Sequence, residues 1–309
     1  MLIAGMAKRT PKPTPEPQPA TPVVHEVVDP RWLIKAFAVT LLIAFLCSYA
    51  TLCWLFYQGQ WQFALQPSHT IAQTPALLNL QFEPVHFAVD ATGTPQLTGW
   101  FIPSDSPGTL TALVLHAGDG SMSTALPSAQ LLHTARLNVF LFDYRGFGAS
   151  AGEHPTEALM QADADSAFTY LTSTRGIAPT QIVLFGQGIG ASPATRLAAQ
   201  HHDIPALILD SPIGDIEAMV AHDSRARFVP TSLFLHEHFP LAAPLSSLAT
   251  PKLIITYNTG TAPIAARQAA DPKVTAEFST HNDLKYVLTL NRFLDLYTPA
   301  KIPGLVPSH

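Results

Sequence analysis

From Leu80 onward the chain alternates between two hydrophobic patterns, one of period two and one of period three to four. "LQFEPVHFAVD" and "PQLTGWFIP" alternate apolar and polar positions, as an antiparallel opening pair of strands does. "LTALVLHA" (Leu110–Ala117) and "LNVFLFDYRG" (Leu137–Gly146) are nearly continuous apolar runs, the mark of strands buried on both faces. "QIVLFG", "IPALILDSP", "PKLIITY" and "VTAEFST" read as further strands. Between them, "ALPSAQLLHTAR", "TEALMQADADSAFTYLTSTRG", "GASPATRLAAQHH" and the closing "NDLKYVLTLNRFLDLY" have helical spacing. In the second of these, Leu159, Ala162, Ala167, Phe168 and Leu171 fall on or near one face. The expectation is an α/β fold over residues 80–300, with a mostly parallel sheet and helices on both faces. Residues 213–248, rich in Pro, His and Phe, break the rhythm and read as a cap excursion.

The N-terminal quarter follows neither pattern. Six prolines between Pro11 and Pro22 predict an extended, solvated arm over residues 1–35. "AFAVTLLIAFLCSYATLCWLF" (Ala36–Phe56) then runs for 21 residues without a charge, long enough to cross a hydrocarbon core of about 30 Å as a helix. Trp32, Trp54, Tyr57 and Trp61 stand at its two ends, where amphipathic rings prefer the membrane interface. A cleaved signal peptide fits poorly: 35 residues precede the run, and the run is longer than the roughly 7–15 of a signal sequence. The expectation is a single-pass signal anchor over 36–57, followed by an uncharged linker over 58–79. Lys8, Arg9, Lys12, Arg31 and Lys35 precede the run, and the next basic residue is Arg136. That bias predicts a cytoplasmic N-terminus and an extracytoplasmic domain, periplasmic or luminal according to the host.

Composition adds exclusions. Net charge is −5 and no basic run is present, so nucleic acid is not an expected partner. Cys47 and Cys53, the only cysteines, both lie in the apolar run, which leaves the domain without a disulfide or a cysteine metal site. His236 and His238 stand two apart and His201–His202 are adjacent, but no third ligand follows with motif spacing, and no metal is expected.

The stretch "FGQGIGA" carries the functional question. Its letters satisfy the dinucleotide fingerprint G-x-G-x-x-G/A, and Asp210 ends a strand 24 positions after Gly186, about where a ribose-binding acid stands. The same strand-turn-helix also suits a nucleophile elbow, G-x-S-x-G, with Gly188 where the serine would be. Three strand-like segments of the same sheet come first, whereas a dinucleotide fingerprint normally opens its sheet. No cofactor is therefore called for.

The surrounding motifs decide the resemblance. "LVLHAGDGS" resembles the oxyanion loop after the third strand of the α/β-hydrolase superfamily, and "FDYRGFGAS" its "D-x-R-G-x-G-x-S". "LILDSP" resembles its sixth-strand motif, and "STHNDL" the "G-H-N-D" that carries its histidine. In this order over residues 80–297, they make the chain similar to the serine-aminopeptidase-like and BEM46-like branch.

The resemblance implies a nucleophile position at Gly188, a base at His281 and oxyanion amides at Gly118 and Ile189. Two departures matter. Gly188 has no hydroxyl, and Ser192 lies one helical turn beyond it, about 5.4 Å along the axis. The acid expected after the seventh strand falls near Gly260, with no Asp or Glu between Glu237 and Asp271; Asp210 is a substitute only if the acid follows the sixth strand. The leading expectation is a non-catalytic or impaired hydrolase that binds a small acyl ligand or a protein partner. A hydrolase acting through His281 and the oxyanion hole, and a dinucleotide enzyme, remain as alternatives.

Overall fold

A computed structural model describes residues 29–89, 92–106, 110–152, 154–257, 264–279 and 283–298. Two compact units divide at residue 50. The first holds most of helix α1 (Pro30–Gly59), whose apolar side chains are largely exposed, Cys53 and Phe56 being buried, and which is long and apolar enough to cross a membrane.

The second unit is built on eight strands: β1 (Glu83–Ala88), β2 (Pro95–Ile102), β3 (Thr111–Leu115), β4 (Asn138–Asp143), β5 (Ile182–Gln187), β6 (Ala206–Asp210), β7 (Lys252–Tyr257) and β8 (Lys273–Phe278). Their order across the sheet is β8-β7-β6-β5-β3-β4-β2-β1. β2 pairs antiparallel with both β1 and β4, and every other pair is parallel. This is the α/β-hydrolase arrangement, reached through the antiparallel opening pair that the alternating segments predict.

Alternation along the buried strands splits the core in two. Leu113, Leu115, Phe140 and Phe142 face the layer of α3 (Glu157–Thr169) and α4 (Ala191–Gln200). Ala112, Val114, Val139, Leu141, Val183 and Phe185 face α2 (Leu126–Thr134) and α9 (Asp283–Tyr297). Because each strand serves both layers, β3 and β6 are buried at every position. In α3 the buried stripe is Met160, Ala164, Ala167 and Phe168, continued by Leu171 in the following π turn, whereas Ala162 is exposed. The stripe is displaced from the expected one because Asp163 shares the inward face and meets Arg145 there.

The excursion 213–248 contains three short helices, α5 (Glu217–His222), α6 (Thr231–Phe234) and α7 (Ala242–Ser247). Its ends are pinned together. The Asp215 and Ile216 amides donate to the Phe239 and His238 carbonyls, and the Asp215 carboxylate accepts from the Leu241 and Ala242 amides. Between β7 and β8 lies α8 (Ile264–Gln268).

Residues 58–79 are not the loose linker that their lack of charge suggests, for the second unit begins at Thr51. Gln60–Phe63 forms a 3-10 turn, Gln66–Pro67 pairs in parallel with Asp119–Gly120, and Pro75–Leu78 forms a second 3-10 turn. Gln60, Leu65 and Pro75 are buried, so backbone pairing and apolar contact fix the segment without charges.

Candidate functional site

The site lies at the C-terminal edge of the sheet. β5 ends at Gln187 and the chain turns through Gly188–Gly190 into α4. Gly188 has φ +55°, the left-handed conformation that glycine adopts without penalty. The flanking glycines answer to packing. A side chain at Gly186 would come within 2.8 Å of Ala191 Cα and 2.9 Å of Ala194 Cβ, and one at Gly190 would overlap the Leu115 and His116 carbonyls. Gly188 is thus explained by its φ and the two flanking glycines by packing against α4 and the end of β3, which removes the need for a pyrophosphate to account for them.

Around this turn the sequence-predicted positions take the following places. Ser192 is buried, and its Oγ donates to the Pro240 carbonyl at 2.9 Å. Ile213, at the root of the excursion, donates its amide to the Gly188 carbonyl. Gly118 adjoins Ile189: a Cβ on Gly118 would stand 2.7 Å from Ile189 Cγ2 and 2.6 Å from Leu65 Cδ2. The Gly118 loop, which carries one of the two candidate oxyanion amides, is therefore covered by Leu65, which is 1% exposed. Amides of the same strap fasten it, Gln66 donating to the Gly118 carbonyl and Ser68 to the Gly120 carbonyl, both at 2.6 Å.

Asp210 ends β6 in register with Gln187, one residue before the turn. Its Oδ2 accepts from the Tyr286 hydroxyl at 2.7 Å and its Oδ1 from Ser211 Oγ at 3.1 Å. Burial, then the Asp210 charge, push the Tyr286 phenol well above its usual range, so it stays a donor. Tyr286 stands in the first turn of α9, five positions beyond His281. His281 itself, Asn282 and the Gly260 region lie outside the described residues. His236 and His238 face different partners, Gln60 and Glu217, and no group that could hold a metal occurs among the described residues.

Beneath the turn is a polar pair that pattern reading leaves unassigned. His116 and Asp143 are fully buried, with Nε2 3.7 Å from Oδ1. His116 Nδ1 faces the Ala117 carbonyl at 2.6 Å, whereas Nε2 has no hydrogen-bond partner among the described residues, because Asp143 Oδ1 accepts from the Met122 amide. Burial pushes the His116 imidazole down to about 4 and the Asp143 carboxyl up to about 7, although the Met122 and Ala149 amides favour the ionised carboxylate. The available signal was their place in "LHAG" and "FDYRG", motifs read for family and not for contact.

Comparison with known proteins agrees with this geometry. A family model described as serine aminopeptidase, S33, matches residues 110–307. An uncharacterized protein of Mycobacterium tuberculosis is 35% identical over 163 residues, 52% of this chain and 56% of that protein. Protein bem46 of Schizosaccharomyces pombe is 35% identical over 159 residues, 50% of this chain and 52% of that protein. Human alpha/beta hydrolase domain-containing protein 17B is 34% identical over 118 residues, 38% of each chain. The match thus spans about half the length of the first two relatives, and less of the third. Among solved structures, an esterase of Pyrococcus furiosus superposes with TM-score 0.60 at 18% identity, covering 76% of this chain and 98% of that one. An alpha-beta hydrolase of Vibrio vulnificus gives 0.54 at 22% identity, covering 75% and 86%. By its matched motifs and its sheet, the chain belongs to the serine aminopeptidase S33 family of α/β hydrolases, in the BEM46-like branch.

Proposed function

We propose that this chain is a membrane-anchored α/β-hydrolase-fold protein that binds a ligand or partner without serine-hydrolase chemistry. One observation carries the reading: the residue at the elbow, with the φ that family position requires, is Gly188, and it supplies no attacking atom. The nearest hydroxyl in the following helix, Ser192, is spent on the Pro240 carbonyl. Leu65 supports the same conclusion by covering the loop a substrate carbonyl would approach. The anchor reading rests on the uncharged run Ala36–Phe56 and the exposed apolar face of α1. The charge bias before the run favours a domain outside the cytoplasm.

Asp210 favours a second reading. It is an acid beside the elbow, bonded to Tyr286, which stands five positions after His281 in the sequence. On that reading His281 activates water, and the activity is a slow hydrolysis of an ester, thioester or peptide. Turnover of a panel of acyl esters by the purified full chain separates the two. The main reading predicts rates equal to the uncatalysed background. Turnover that His281→Ala abolishes would establish the second.

A further inference from the structure

We infer that the excursion is a second membrane contact: the face bearing Phe228 and Leu233 beds into the phospholipid surface beside the outer end of α1. The inference rests on the anchor reading above and adds to it which part of the domain meets lipid. It starts from the absence of slack. The uncharged run ends at Phe56, inside the second unit, where Cys53 and Phe56 are already buried in the globular core. Trp54, Leu55 and Tyr57, in the same turns, remain exposed.

The next residues grip the excursion directly. Gln60, 1% exposed, points its Nε2 at the Phe234 carbonyl and at His236 Nδ1, and its Oε1 accepts from the His236 and Glu237 amides. Tyr57 packs on the His236 ring at 4.5 Å, and the Arg225 guanidinium lies 4.2 Å over Phe63. A groove joins the two elements, lined by Leu52, Leu55, Phe56 and Phe63 on one side and Arg225 on the other. The excursion is therefore attached within a few residues of the point where the apolar run leaves hydrocarbon.

What the excursion exposes fits that location. Phe228 is 71% exposed and Leu233 75%, and Ile213 and Met219 are exposed with them. Four large apolar side chains open to solvent within 21 residues are costly in water and ordinary at a lipid interface. Arg227 lies 5.6 Å from the Phe228 ring, so a cation suited to a lipid phosphate stands beside the apolar tip, while Arg225 is held by Asp223 at 2.8 Å. The partner is thus a phospholipid bilayer, with a phosphate at Arg227 and the acyl boundary at Phe228 and Leu233.

The test uses the full chain, with Cys47→Ala, in phosphatidylcholine–phosphatidylglycerol vesicles, with an environment-sensitive fluorophore on Phe228→Cys, Leu233→Cys or Leu42→Cys. Lipids with a quencher on the upper acyl chain should roughly halve the emission at 228 and 233, while Leu42 responds to a quencher placed deeper. Quenching at 42 with none at 228 or 233 would overturn the inference and leave the anchor intact. No quenching at 42 would overturn the anchor reading and this inference with it.

Discussion

The loop after β4 and the turn after β5 leave the same edge of the sheet, and they have kept different things. In the first, Asp143, Arg145 and Ser150 of "DYRGFGAS" are bonded, while the buried Tyr144 hydroxyl has no partner among the described residues. Arg145 pairs with buried Asp163 at 2.6 Å, Ser150 Oγ donates to the Asp143 carbonyl, and the Thr98 amide donates to Ser150. Gly148 is glycine because a side chain there would overlap the Asp143 carboxylate. In the second, three glycines preserve the path of the backbone and no side chain projects from Gly188. The first loop braces the fold through these bonds. The second is held by packing and by the Ile213 amide on the Gly188 carbonyl, and glycine there avoids the penalty on the order of 1–3 kcal/mol that a non-glycine residue carries in that conformation.

Breaking the first loop should be the more damaging change. Asp163→Ala leaves the Arg145 guanidinium without its buried partner, and we expect a loss of about 3–5 kcal/mol in urea unfolding of the detergent-solubilised chain. A loss under about 1 kcal/mol would mean that Arg145 finds water instead, and that the loop is not the brace described.

A smaller effect sharpens the same contrast through pH. The folded His116 refuses a proton that the unfolded chain takes up between about 4 and 6.5, so its contribution to stability rises with pH across that window. The folded Asp143 keeps a proton that the unfolded chain releases between 3.8 and about 7, so its contribution falls as pH rises. The two slopes oppose each other from about 4 to 6.5. Asp143→Asn removes the falling limb. The stability of the variant relative to wild type should then climb with pH, by at most about 1.4 kcal/mol per unit, and level off near 7. A difference curve that is flat from 4 to 7 would contradict the buried, protonated carboxyl.

The contrast also explains what the sequence made legible. The sheet was readable because strands buried on both faces leave continuous apolar runs, and motif order then placed Gly118, Gly188, Ile189 and Asp210 on one edge. The strap was not readable. Leu65 acts through burial, Gln60 through side-chain hydrogen bonds and Gln66–Pro67 through backbone pairing, all inside an uncharged stretch that carries no periodicity to distinguish it from a linker. The stripe of α3 was readable at Ala167, Phe168 and Leu171 but not at Ala162, because a buried aspartate breaks the apolar pattern that locates a helix face. Tyr286, which holds Asp210, looks like an ordinary core aromatic until the contact is seen.

The central claim, that this elbow has no attacking atom, is tested most directly by a serine-reactive phosphonate and intact-mass measurement. Wild type and Gly188→Ser are treated side by side. The account predicts an unchanged mass for wild type. It predicts little adduct for Gly188→Ser, whose new Cβ would sit 3.0 Å from Ala117 Cβ and whose usual acid position lacks a carboxylate. Stoichiometric phosphonylation of the wild-type chain at Ser192, or at any other serine beside the elbow, would contradict it.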